Sequence, residues 1–162
     1  MSWLCRMSAL LLVASLLGGS PALAADIPIL GDWIIVDAIV APWIAEGVDD
    51  KTYLLDGKAH LHMKVTFQPD RVISKDPVIG CTNASYERTL YPPRALFQGS
   101  LPEPDQIEIA RNLGFPSGEI PGFDVACSTG VFSYHFADRD TLLFALDNVI
   151  YTLERDEGHN DN

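Results

Sequence analysis

The sequence has no apolar run long enough to span a bilayer, and it has few basic residues. Its longest apolar stretch, residues 9–17, falls short of the roughly 20 residues that a transmembrane helix needs. Lysine and arginine together number 11 against 22 acidic residues, which gives a net charge of −11. Such a charge repels nucleic acids and anionic lipids, so we expect neither as a partner. No membrane span is expected in the mature protein.

The usual catalytic and cofactor motifs are also lacking. The sequence contains no Gly-x-Ser-x-Gly element, no phosphate-binding glycine loop and no His-Glu-x-x-His pair. We therefore expect no cofactor, and an enzyme is not the leading interpretation. An enzyme that uses unrecognised carboxylates or histidines remains the alternative, because acidic residues are plentiful and two of them can share acid–base work.

The N-terminus has the organisation of a secretory signal peptide. Arg6 precedes the apolar run, and Ala22 and Ala24 supply the small side chains that signal peptidase requires. We predict cleavage after Ala24, so that residues 25–162 form the mature chain of an exported protein, either periplasmic or secreted. Cleavage also removes Arg6 and leaves the chain one charge more negative.

Cysteine is scarce, with three residues in the whole chain. Cys5 lies in the signal peptide, so the mature chain keeps Cys81 and Cys127. In an oxidising compartment an even pair predicts one disulfide, with two buried free thiols as the alternative.

Apolar residues in the mature chain recur mostly with period two, which is typical of half-buried β-strands. One helix is predicted within residues 101–118, where Asp105 can cap it and Gly114 can end it. The fold class is therefore all-β: one antiparallel up-and-down barrel of about eight strands in residues 25–162, with a β-sandwich as the alternative. Residues 156–162 are predicted to be a disordered tail. The predicted strands cover 33–40, 53–55, 59–67, 71–74, 84–91, 123–127, 131–136, 141–146 and 149–154, with a hairpin turn at Asp56-Gly57.

Gly31-Asp32-Trp33, at the start of the first predicted strand, resembles the Gly-x-Trp motif of lipocalin-like (calycin) barrels. In that family the tryptophan closes one end of the barrel, and an arginine near the last strand packs over it. Arg155 follows the last predicted strand and matches that arginine. The wider group includes small periplasmic inhibitors of secreted hydrolases, which are also barrels with one disulfide.

His60 and His62 are metal candidates, since a His-x-His pair on a strand places both imidazoles on one face. The same face carries Lys64 and Thr66, so the favoured interpretation is a solvated outer surface without a metal.

The leading functional expectation is an exported, non-catalytic binding protein. One version binds a protein, such as a basic secreted hydrolase, through the stiff segment that Tyr91 and Phe97 delimit. The other version binds a small apolar ligand in the barrel mouth. The aromatic side chains of Phe132, Tyr134 and Phe136 then line the mouth, or else they fill the core.

Overall fold

The computed structural model describes residues 28–45 and 50–158. The predicted signal peptide lies outside these residues. Within them, nine antiparallel strands form one curled, half-barrel sheet, so the all-β prediction of about eight strands is confirmed. The strands are β1 (Gly31–Val40), β2 (Lys64–Gln68), β3 (Arg71–Ser74), β4 (Cys81–Thr82), β5 (Ser85–Tyr91), β6 (Ile120–Cys127), β7 (Gly130–Phe136), β8 (Thr141–Leu146) and β9 (Val149–Arg155).

The strand order follows an up-and-down meander. Consecutive strands pair with each other, except β4 and β5, and β1 also pairs with β9. The ladder is interrupted between β4 and β5, where β4 contributes only two residues. The Cys81–Cys127 disulfide spans this interruption by tying β4 to β6, which confirms the predicted pairing. The Tyr86 hydroxyl spans it as well, since it donates to the Gln68 carbonyl at 2.6 Å.

A helix replaces the hairpin predicted at Asp56-Gly57. Helix α1 (Lys51–Ala59) packs its buried Gly57 against the sheet, where an added Cβ would lie 3.0 Å from that of Ala38. Gly57 therefore serves close packing rather than a turn. The strand predicted over 59–67 accordingly begins only at Lys64, after a left-handed residue at His62 (φ 64°).

The predicted helix within residues 101–118 is present as α2 (Gln106–Asn112), and Gly114 follows it with φ of +89°. A 3₁₀ segment, Pro93–Gly99, precedes it. Together with α1, the described residues hold two α-helices and this segment instead of one helix. Asp156, placed in the predicted tail, is also ordered, because its N–H donates to the Asp32 carbonyl and its carboxylate binds Lys64.

Apolar side chains pack on both faces of the sheet. The inner face encloses the main core, and the outer face of β5–β9 is covered by residues 92–119 and Trp43. Residues 92–119 therefore form a second layer on the sheet. The largest fully buried side chains of the inner core are Trp33, Tyr134, Tyr151, Phe67 and Phe144.

Candidate functional site

Trp33 lies near the start of β1, opposite Arg155 in the β1–β9 ladder. Its side chain is fully buried, and its indole N–H donates to the Ile29 carbonyl at 2.8 Å. The Arg155 guanidinium carbon lies 4.3 Å from the ring centroid and its nitrogens donate to the Pro28 and Leu30 carbonyls. The predicted arginine–tryptophan contact is thus present. Gly31 has φ of +117°, a conformation that side chains disfavour, as the chain enters β1 beneath Arg155.

An open groove lies at this same end of the sheet and has a volume of about 340 Å³. We call it the apolar groove, because five of its lining residues are apolar side chains of proline or phenylalanine. Small-molecule sites typically occupy about 300–1,000 Å³, so the groove suits a compact ligand. Its lining residues are Pro28, Arg88, Pro116, Pro121, Gly122, Phe123, Phe136, Ala137, Asp138 and Arg139.

The aromatic side chains of this groove are held by the core. Phe123 in β6 and Phe136 in β7 are both more than nine-tenths buried, and their rings meet edge to face with centroids 6.2 Å apart. Phe136 also contacts the Trp33 ring at a centroid distance of 6.2 Å. These contacts fix the rings, so the groove presents a preformed apolar surface rather than a mobile one.

Arg88 brings a positive charge to the groove. It lies opposite Phe123 in the β5–β6 ladder, and residues that pair directly share one face of a sheet. It forms no ion pair within the described part of the chain. Arg139 also lines the groove, and it reaches Asp140 at 3.3 Å with its side chain 85% exposed. Asp138 is the acidic neighbour, and it accepts hydrogen bonds from the Asp140 N–H and the Thr141 hydroxyl.

A second shallow groove adjoins the first and shares Pro116 with it. Ile107 of α2 lines this second groove with 66% of its surface exposed. Nearby on the edge strand β5, Leu90 is 54% exposed. The surface around Pro116 is therefore more apolar than the acidic composition of the chain suggests.

The predicted contact residues Tyr91 and Phe97 are buried, which corrects their proposed place in an exposed binding loop. They belong to the outer-face core because the 3₁₀ segment folds back onto the sheet. Phe132, Tyr134 and Phe136 do share the inner face, as predicted from their spacing. Tyr134 packs between Phe67 and Phe144 with both centroids 5.0 Å away, so it fills the core rather than lining a cavity.

His135 is fully buried beneath the 3₁₀ segment. Its Nε2 accepts a hydrogen bond of 3.0 Å from the N–H of Phe97, a residue in the left-handed conformation with φ of 49°. Burial, against the opposing charge of Asp124, lowers the pKa of His135 to about 4. The imidazole is therefore neutral at neutral pH and anchors this turn, without access to a substrate.

His60 and His62 do not form the shared strand face that the spacing predicted. His60 lies at the end of α1, where its Nε2 is 2.7 Å from Asp76 and its Nδ1 is 2.8 Å from the Asp56 carbonyl. His62 is exposed. Across residues 28–45 and 50–158, no cluster of histidine, cysteine or acidic side chains has a geometry that could hold a metal ion.

The His60–Asp76 pair makes stability depend on pH. Burial opposes the charge on each, but hydrogen bonding with Asp76 and the Asp56 carbonyl leaves the pKa of His60 raised, and bonding with His60 leaves that of Asp76 lowered. The pair therefore stabilises the fold fully when the pH is below the ordinary histidine pKa of 6.5. This stabilisation is lost as the pH rises through the folded pKa of His60. On the acid side, the contribution of Asp76 is lost as the pH falls below 3.8.

We expect His60→Asn to cost up to about 1 kcal/mol more at pH 5.5 than at pH 8.5. Urea unfolding at the two pH values measures the difference. His62→Asn is the matched control, and its cost is expected to be the same at both. An equal cost of His60→Asn at the two pH values would contradict a charged pair.

Most residues that line the groove were not predicted as site residues from the sequence. They include Arg88, Phe123 and Arg139. In the sequence, only strand alternation points to Arg88, because Tyr86, Arg88 and Leu90 alternate onto the same, inward face of β5. Pro116 carries no such signal, because its place in the groove depends on how residues 92–119 cross the sheet.

No helix among the described residues is long and apolar enough to cross a membrane. Comparison with protein-family models, with curated proteins and with solved structures gave no match. The functional argument consequently rests on the geometry of the apolar groove and of the polar side chains around it.

Proposed function

We propose that the mature chain is an exported, non-catalytic binding protein that holds a small apolar ligand in the apolar groove. The observation that carries this proposal is an open groove of about 340 Å³ over the fixed rings of Phe123 and Phe136. Rigid aromatic surface that is already ordered binds an apolar group without a further ordering cost. Because large side chains such as Tyr134 and Phe144 fill the inner core, the groove rather than the barrel interior is the place for a ligand.

The polar side chains favour binding over catalysis. Ser133 donates to Asp124 at 2.5 Å, whereas the adjacent His135 binds the Phe97 N–H and is fully buried. Serine, histidine and aspartate therefore lie close without forming the relay that a nucleophilic serine needs. The imidazole of His60 is likewise hydrogen-bonded, in this case to the Asp76 carboxylate.

A protein partner is the second candidate, and the edge of the sheet favours it. The outer edge of β5 has no neighbouring strand in the sheet, and Leu90 is exposed on it. Such an edge accepts an extended segment of another protein by strand addition. A basic secreted protein such as a hydrolase would be steered to this acidic chain by its charge.

A lipocalin-like relationship remains part of the proposal. The contact of Arg155 with Trp33 and the up-and-down order of the strands support it. The interruption between β4 and β5 distinguishes this chain from a fully closed barrel.

The experiment adds an extract of the exported fraction to ¹⁵N-labelled residues 25–162 and records amide chemical shifts. We expect shift changes confined to the groove, at residues 122–123 and 136–139. Pro116→Trp, a bulky change at an exposed residue of the groove wall, should abolish them. Pro77→Trp, an equal change in a distant exposed loop, should not. Shifts along the β5 edge that survive Pro116→Trp would instead favour the protein partner.

A further inference from the structure

We infer that the ligand of the apolar groove is a small, soluble amphiphilic anion. This inference rests on the proposed binding function and specifies the class of ligand. The apolar part of the molecule lies on Phe123 and Phe136, and its anionic end lies at Arg88 with Arg139 beside it.

The first support is the placement of arginine in a chain with so few basic residues. Acidic residues outnumber basic ones two to one, yet two arginines line this single apolar surface. Elsewhere the arginines of the sheet are satisfied internally. Arg71 binds Asp70 and Arg155 binds Asp140. Arg88 has no such carboxylate in the described part of the chain, so its guanidinium is free for an anion from outside.

The second support is the position of Arg88 relative to the rings. Arg88 pairs with Phe123 across the β5–β6 ladder, which places a cation next to the aromatic surface instead of on a distant rim. A ligand with an apolar body and a terminal carboxylate can contact both at once. A guanidinium binds a carboxylate through two parallel N–H donors, and this pairing is stronger beside an apolar surface than in open water.

The other charged side chains at the groove also favour an anionic end group on the ligand. Asp138 lines the groove, but its two oxygens accept from the Asp140 N–H and the Thr141 hydroxyl. Asp140 is bound by Arg155 at 3.2 Å and by Arg139 at 3.3 Å. The carboxylates of Asp138 and Asp140 therefore already have partners within the protein, whereas Arg88 has no carboxylate partner in the described part of the chain. A cationic amphiphile would meet the charges of Arg88 and Arg139, against Asp138 as the one carboxylate among the lining residues.

A soluble carboxylic acid and an anionic membrane surface both present an anionic group next to an apolar chain. The net charge of −11 opposes approach to an anionic membrane, so we assign the groove to a soluble molecule.

The test is an NMR titration of the disulfide-bonded residues 25–162 with octanoate, 1-octanol and octylammonium at neutral pH. These probes share an apolar chain and differ in the charge of the end group. We expect all shift changes to map to the groove and octanoate to bind about tenfold tighter than octanol, a difference of about 1.4 kcal/mol. Octylammonium should bind most weakly. Arg88→Gln should remove the preference for octanoate over octanol.

Arg71→Gln is the matched control, because it removes an arginine from β3 outside the groove and should leave the preference intact. Equal binding of octanoate and octanol would overturn the inference and leave the proposed apolar site standing. No binding of any probe in the groove would overturn both. Sedimentation with phosphatidylglycerol vesicles, in the absence of octanoate binding, would overturn the assignment to a soluble molecule.

Discussion

Replacing both bonded cysteines, by Cys81→Ser together with Cys127→Ser, is expected to lower the free energy of unfolding by about 4 kcal/mol. The bond closes a loop with a sequence separation of 46 residues, and opening it returns that freedom to the unfolded chain. In this fold the bond also spans the interruption between β4 and β5, where the hydrogen-bond ladder is absent. A loss of this size is a large part of the roughly 5–15 kcal/mol that stabilises an ordinary domain.

Urea unfolding of the mature protein measures this loss. A reductant should lower the stability of the wild type to that of the double variant and leave the double variant unchanged. Amide hydrogen exchange should quicken first in residues 75–84, because β4 contributes only two residues to the ladder there and the disulfide is attached to this segment. Equal stability of the variant and the wild type would show that the Tyr86 hydrogen bond closes the interruption without help.

The second large effect is expected from Trp33→Ala, which should cost about 3–5 kcal/mol. Trp33 is fully buried and contacts Phe136, the Ile29 carbonyl and the Arg155 guanidinium. Its removal leaves a cavity, the Ile29 carbonyl loses the indole donor, and the Arg155 guanidinium loses its contact with the ring.

Trp43→Ala is the matched control for this change. Trp43 is only partly buried on the outer face, where it contacts Phe97 and donates to Asn148 at 3.1 Å. We expect its loss in urea unfolding to be less than half that of Trp33→Ala. A larger loss at Trp43 would mean that the outer layer, and not the inner core around Trp33, limits stability.

Local sequence patterns predicted most of the sheet, because alternation of apolar residues needs no knowledge of distant contacts. Strands such as β7 (Gly130–Phe136) and β9 (Val149–Arg155) lie within one residue of their predicted bounds at each end. The Trp33–Arg155 contact was also expected, from a resemblance to calycin motifs at the two ends of the chain. The failure at Asp56-Gly57 has the opposite cause, since Gly57 is fixed by packing against Ala38, a contact that local turn chemistry does not reveal.

The site was harder to predict than the sheet. The apolar groove joins residues from β5, β6, the β7–β8 turn and the segment after α2, and no short spacing links them. Conversely, Tyr91 and Phe97 stood out in the sequence as an aromatic, proline-rich stretch, but tertiary packing buries both against His135. Composition thus identified an apolar segment without indicating which of its faces meets solvent.

Native mass spectrometry shows whether this protein carries a small ligand. The mature protein is purified from the exported fraction without denaturation and weighed before and after mild acid unfolding. We expect a population that is heavier by one constant mass, which unfolding releases as a small anion. A single species at the mass of residues 25–162 from every gentle preparation would mean that the protein carries no ligand and that the proposed function is wrong.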